Sequence, residues 1–174
     1  VLTVHDEQEY VLPIVRAGQL SDEKAERYLA ETLIDRRNRI ARAWLTSVNP
    51  IVDPALAADG TLTFNNAAVL YAGAPAPSSY SAVWHRFDNE TGETERIGES
   101  ESSEEKIRAP TGALVRTQPE SSRPGGGMFL RVDISAPGAQ HASWASPVHA
   151  YFRHGADGWK LVGFDRMPNA PVMR

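Results

Sequence analysis

Val148-His149-Ala150-Tyr151-Phe152-Arg153 and Trp159-Lys160-Leu161-Val162-Gly163-Phe164 flank the segment Gly155-Ala156-Asp157-Gly158. Apolar and polar residues trade places in both runs, the period of a strand that packs one face and wets the other. Gly and Asp between the runs supply turn chemistry, so the pair predicts an antiparallel β-hairpin. In the first run His149, Tyr151 and Arg153 share one face and Phe152 points to the other. In the second, Lys160 keeps period with Val162 and Phe164 while Trp159 keeps period with Leu161, which leaves two assignments of the core side open.

Upstream of the hairpin, Met128 to Ile134 has strand composition. So does Tyr80 to Phe87, which the turn residues Asp88-Asn89-Glu90-Thr91-Gly92 connect to a return strand from Glu93 to Ile97. On the Tyr80 to Phe87 strand, His85 falls on the side of Val83 and Phe87. Strands joined by turns, with no helical periodicity between them, argue for an antiparallel sandwich rather than a parallel sheet. The stretch from Trp144-Ala145-Ser146-Pro147-Val148 to Gly158-Trp159-Lys160-Leu161-Val162-Gly163 resembles the terminal hairpin of bacterial sandwich domains of immunoglobulin or fibronectin type. That likeness implies architecture and carries no active site.

From Ser21 to about Ser47 the periodicity changes. Ala25, Tyr28, Leu29, Leu33, Ile40, Ala41 and Trp44 recur at helical spacing, and Asn49-Pro50 stops the run. Ser21 is the expected N-cap, Leu20 a hydrophobic staple, and Asp22 and Glu23 complement the helix dipole in the first turn. Before it, Glu9 to Val15 reads either as a short strand or as a helical turn broken by Pro13. From Ile51 to Ser79 the chain is rich in Pro, Ala, Gly and Asn, with one strand expected at Thr61-Leu62-Thr63-Phe64 and a helical turn at Asn66 to Tyr71. The expected fold is α+β: a long N-terminal helix followed by an antiparallel β-sandwich of immunoglobulin/fibronectin-like architecture. The expected division is a helical segment over 1–50, a connection over 51–79 and a sandwich domain over 80–174.

The 174 residues are enough to bury a sizeable core, and 23% charged with 41% hydrophobic residues is ordinary globular composition. A net charge of -4, from 18 Lys and Arg against 22 Asp and Glu, argues against a nucleic-acid partner. The absence of cysteine excludes disulfides, thiolate metal sites and Cys nucleophiles. No apolar run approaches the roughly 20 residues of a membrane-spanning helix. Val1 in place of Met leads to the expectation that a signal peptide or an upstream domain has been removed.

Several clusters are candidates for chemistry. Arg36, Arg37, Arg39 and Arg42 lie within two helical turns, where guanidinium forks can grip an anionic partner; the structural alternative is complementation of the helix C-terminus and pairing with Glu26, Glu31 and Asp35. Glu99-Ser100-Glu101-Ser102-Ser103-Glu104-Glu105 is acidic enough to raise calcium but lacks the order of a calcium loop, so a solvated edge is expected. Ser121 to Gly127 reads as a flexible connector.

The histidines His5, His85, His141, His149 and His154 form no metal-binding motif, and no Gly-x-Ser-x-Gly elbow is present. If there is a catalytic site, it is assembled from separate strands, with His85 or His149 acting with Asp133 or Asp165. Asp88 is a further isolated carboxylate. Trp84 and Trp144, with Trp159, Tyr80 and Tyr151, are candidates for an exposed aromatic strip that docks a sugar ring or a protein partner, the alternative being a core position.

With a sandwich pattern and no catalytic motif, the expected function is a non-catalytic accessory or protein-interaction module of a bacterial exported or envelope-associated protein or assembly. The alternatives are a hydrolase with a site assembled from separate strands and a carbohydrate-binding module. A protein partner or larger assembly is expected, with no cofactor, no metal and no nucleic acid. The expected location is periplasmic or extracellular, with the cytoplasm as alternative. A third expectation is that the long helix mediates assembly with a partner or an identical copy through an exposed apolar stripe at Tyr28, Leu33 and Ile40.

Overall fold

The computed structural model describes residues 4–114 and 128–166, with side chains from Tyr10 onward. The chain begins with a helical hairpin, α1 (Val4–Arg16) and α2 (Glu23–Leu45). The segment left open between strand and broken turn is thus helix, and it runs through Pro13, whose carbonyl accepts from Ala17 N at 3.0 Å. The N-cap of α2 is Asp22, one residue past the expected Ser21: its carboxylate accepts from Lys24 N at 2.9 Å. Leu20 is exposed and so does not act as a staple. One face of α2 turns inward, with Ala30 buried and Ile34, Ala41 and Leu45 half-buried. Val15 on α1 is buried too, and Arg16 reaches Glu26 of α2 at 3.7 Å.

After α2 come β1 (Ile51–Leu56), β2 (Thr61–Asn66) and α3 (Ala67–Ala72). Asn66 caps α3 from a buried position: its Oδ1 accepts from Ala68 N and Val69 N, and its Nδ2 donates to the Tyr80 hydroxyl at 3.2 Å. Gly73 ends α3 at φ +63, in the left-handed region that glycine adopts without steric cost. Proline in β1 is tolerated because β1 is the edge of its sheet and Pro54 falls in the register break between Val52 and Ala55, with Asp53 at φ 52.

The remaining strands are β3 (Tyr80–Phe87), β4 (Thr94–Ser102), β5 (Lys106–Arg108), β6 (Phe129–Ser135), β7 (Val148–Gly155) and β8 (Gly158–Asp165), with a 3-10 turn at Ala142–Ala145 before β7. The turn after β3 closes as its sequence implies: Asp88 Oδ1 accepts from Glu90 N and Thr91 N. All strand pairs are antiparallel. They form a three-stranded sheet of order β1-β2-β5 and a five-stranded sheet of order β4-β3-β6-β7-β8. The architecture is therefore mixed α+β, with three helices and two antiparallel sheets among the described residues.

One core cluster draws on both sheets. The five-stranded sheet contributes Tyr80, Ala82 and Trp84, Leu130, Val132 and Ile134, and Val148, Ala150 and Phe152; Ile51, Leu62, Phe64 and Ile107 come from the other sheet. Ala68 of α3 and Trp144 of the 3-10 turn also join it, as do Leu56 and Ala136. Residues 51–79 thus supply strands, a helix and core side chains. The seam with α2 is polar but satisfied. Buried Asn49 donates to the carbonyls of Ile134 at 3.0 Å and Ser146 at 2.8 Å, and its Oδ1 accepts from Ile51 N at 3.1 Å. Arg166, just after β8, donates to the carbonyls of Asn49 and Ile51.

β8 buries neither side of its alternation. It is a sheet edge, and the register shifts between Tyr151 and Phe152, so Leu161, Val162 and Phe164 all remain partly exposed. Phe152, opposite Leu161 on β7, is fully buried, and Lys160 is exposed with its ammonium 3.0 Å from Asp157. Phe152→Ala is expected to cost about 3–5 kcal/mol by leaving a cavity, and Lys160→Ala under about 0.5 kcal/mol. Chemical denaturation of both variants checks this, since similar losses would contradict the burial pattern of the hairpin.

Candidate functional site

The outer face of the five-stranded sheet carries the other half of each strand's alternation. The register aligns Val83 of β3, Asp133 of β6, His149 of β7 and Asp165 of β8 in one row. One residue pair further along lie His85, Arg131, Tyr151 and Gly163. Because side chains at i and i+2 share a face, the two rows together place His85, Arg131, Asp133 and His149 side by side. Aromatic rings continue the face: Phe87 meets Tyr151 edge to face with centroids 5.0 Å apart and Phe129 at 6.4 Å, and the Arg153 guanidinium lies over Phe129.

Asp133 is the centre of the cluster. Its carboxylate lies 3.2 Å from His85 Nε2, 3.5 Å from His149 Nε2 and 2.9 Å from Arg131 Nε, and it accepts from Arg131 Nη2 at 3.1 Å. The His85 and Asp133 side chains are only 12% and 14% exposed. Several of these contacts are misdirected despite being short. His85 Nε2, Arg131 Nε and Asp133 Oδ1 are buried with no aligned hydrogen-bond partner among the described residues.

Burial is the largest influence on both imidazoles and pushes their pKa values below the ordinary histidine value. The Arg131 cation pushes the same way, while the Asp133 carboxylate opposes it. Asp165 acts on His149 in the same sense as Asp133. Both rings are therefore neutral at pH 7, beside a carboxylate that a guanidinium already satisfies in part. A neutral imidazole with an undirected ring nitrogen can accept or donate a proton.

Three of the four residues expected to form a site assembled from strands, His85, His149 and Asp133, are thus in contact, with Asp165 opposite His149 in the register. Arg131, which sits between them, was not among those candidates. The sequence signal for it is the alternation of β6, where Arg131 and Asp133 keep period against Leu130, Val132 and Ile134. Asp88 is committed to its own turn.

Trp84 and Trp144 are corrections to the aromatic-strip expectation. Both are fully buried, Trp84 with its Nε1 donating to Ser100 Oγ at 2.8 Å, so neither offers a ring face to a ligand. The core took them because they fall on the inward period of β3 and at the 3-10 turn that closes over it. Tyr80 is buried as well; Trp44, on α2, is the exposed tryptophan.

Arg36, Arg37, Arg39 and Arg42 are exposed along the second half of α2, where Arg42 contacts the Ala72 carbonyl at 3.4 Å and Arg37 donates to Asn38. Glu26 pairs with Arg16 rather than within this cluster. The acidic run lies at the edge strand β4 and the turn after it; Glu99 accepts from Ser81 and Arg96, and Glu105 accepts from Asn66 N. Among the described residues, no three His, Asp or Glu side chains are placed to hold a metal ion, and no helix is long and apolar enough to cross a membrane. Ser121 to Gly127 and His5 lie outside the residues whose side chains are described. A shallow groove lined by Glu23, Lys24, Arg27, Tyr28 and Glu31 is on α2 rather than on the sheet. No protein-family model, curated protein or solved structure matches the chain.

The depressed histidines make stability depend on pH in a definite direction. Below an unfolded imidazole pKa of about 6.5, the unfolded chain binds protons that folded His85 and His149 resist, so stability rises with pH in that window. The His contribution is complete at neutral pH and is lost as pH falls from about 7 through the lowered folded values. Denaturation midpoints measured from pH 7.5 to 5 should fall more steeply for the wild type than for His85→Gln with His149→Gln. Parallel curves would contradict the assignment.

Proposed function

We propose that this chain is a non-catalytic interaction module whose docking surface is the outward face of the helical hairpin. The sandwich arrangement belongs to this reading: two sheets share one core and carry the hairpin beside it. The observation that carries the proposal is the row Leu29, Leu33, Ile40 and Trp44 on α2. Leu33 is 44%, Ile40 52% and Trp44 71% exposed, while Ala30, Ile34, Ala41 and Leu45 occupy the inward face of the same helix. Tyr28 on α2 and Tyr10 and Ile14 on α1 add further exposed apolar surface. Large side chains grouped in this way mark a surface that another molecule covers.

A photo-crosslinking residue at position 33, introduced in the cells that make the protein, should give adducts of discrete mass. The same residue at position 157, in the exposed β7-β8 turn, should give none. Equal adduct patterns at the two positions would sink the docking role.

A second reading, an acid-base hydrolase, draws support from the convergence of His85, His149 and Asp133 beside an aromatic patch. In that case one neutral imidazole would serve as general base and Arg131 would hold an anionic group of the substrate. A carbohydrate ligand would stack on Phe87 and Tyr151 rather than on the buried tryptophans. Screening ester, phosphate and glycan substrates decides the matter: loss of a robust turnover by at least 100-fold in His85→Gln or Asp133→Asn would favour catalysis. Absence of turnover in the wild type would leave the interaction module alone.

A further inference from the structure

We propose, building on the docking role of α2, that its partner is a second copy of this chain, bound antiparallel through the same helix about a two-fold axis between residues 36 and 37. The spacing of the exposed row is self-complementary. About that axis, Leu33 faces the partner copy's residue 40, an isoleucine, and Leu29 faces its residue 44, a tryptophan. Each large exposed apolar residue of the row therefore meets another. An isologous contact has this property by definition, since one patch serves both copies.

Charge selects the antiparallel orientation. From Asp22 to Asp35 the helix carries five carboxylates against two cations, whereas from Arg36 to Leu45 it carries four arginines and no carboxylate. Antiparallel pairing sets the acidic half of one helix along the basic half of the other. Parallel pairing would align like with like, which disfavours the complex. The helix macrodipoles oppose each other favourably in the same orientation. Arg36 and Arg37 flank the axis, where their aliphatic stems can cover apolar surface while the guanidinium groups reach water. The arginine cluster then has a role that requires no separate anionic ligand.

The chain contains no cysteine, so an introduced one is the sole thiol and reports its own distance across the axis. Arg36→Cys and Leu29→Cys both lie on the exposed surface of α2. Across an antiparallel pair, position 36 is close to its copy. At about 1.5 Å rise per residue, position 29 lies roughly 22 Å from its copy, far beyond the approximately 4–7 Å between Cα atoms that a disulfide spans. Under mild oxidation Arg36→Cys should therefore give a covalent dimer, and Leu29→Cys should give at least ten-fold less.

Sedimentation of the wild-type chain should show a mass rising with concentration from one chain to two, and Leu33→Asp with Ile40→Asp should hold it at one. Cross-linking of Leu29→Cys as readily as Arg36→Cys would overturn the antiparallel geometry. A single-chain mass at every concentration would overturn self-association. The docking role would survive that result if position 33 still gave photo-adducts to a different protein and would fall if it gave none, so the two failures are distinguishable.

Discussion

The side chain of Asn49 holds the point at which helix becomes sheet. Its amide spans the end of β6 through Ile134, the end of the 3-10 turn before β7 through Ser146 and the first residue of β1 through Ile51, all from a buried position. Inside a low-dielectric core such a group either satisfies all its partners or costs free energy, so the three segments cannot separate independently. Neighbouring contacts strengthen the junction. Ser143 Oγ donates to the Thr46 carbonyl at 2.7 Å, and Ala67 N donates to that of Pro50 at 2.9 Å. α2 itself ends at Leu45, ahead of Pro50, with the backbone N–H of its C-cap Thr46 donating to the Trp44 carbonyl.

Holding the inner face of the five-stranded sheet against the other sheet has a consequence on the outer face. The alternation that buries Leu130, Val132 and Ile134 exports Arg131 and Asp133, and the β3-β6-β7 register sets His85 and His149 around them. The cluster is thus a product of strand order and register. The same junction leaves α2 with one face against the protein and another in solvent. Both candidate functional surfaces therefore derive from how the core closes.

Strong local periodicity was readable in the sequence. The Val148 to Phe164 hairpin, the strand at Tyr80 to Phe87 with its Asp88 to Gly92 turn, and the body of α2 all follow from alternation, turn chemistry and helical spacing that adjacent residues reinforce. Less was readable where tertiary context overrides local preference. α1 continues through Pro13, and β1 accommodates Pro54 because it lies at a sheet edge and a bulge. Candidate partners of His85 could be named, but their contact could not be derived, because adjacency of β3, β6 and β7 is a long-range property. Composition alone could not separate Trp84 and Trp144 in the core from Trp44 in solvent; only Trp84 lies on a strand whose alternation carries the information.

Replacing Asn49 by Ala tests most directly whether this junction organises the molecule. The account predicts a loss of about 2–3 kcal/mol in chemical denaturation, with faster hydrogen exchange at the amides of Ile51 and of residues flanking Ile134 and Ser146. A variant within about 0.5 kcal/mol of the wild type, with exchange unchanged at those amides, would contradict it.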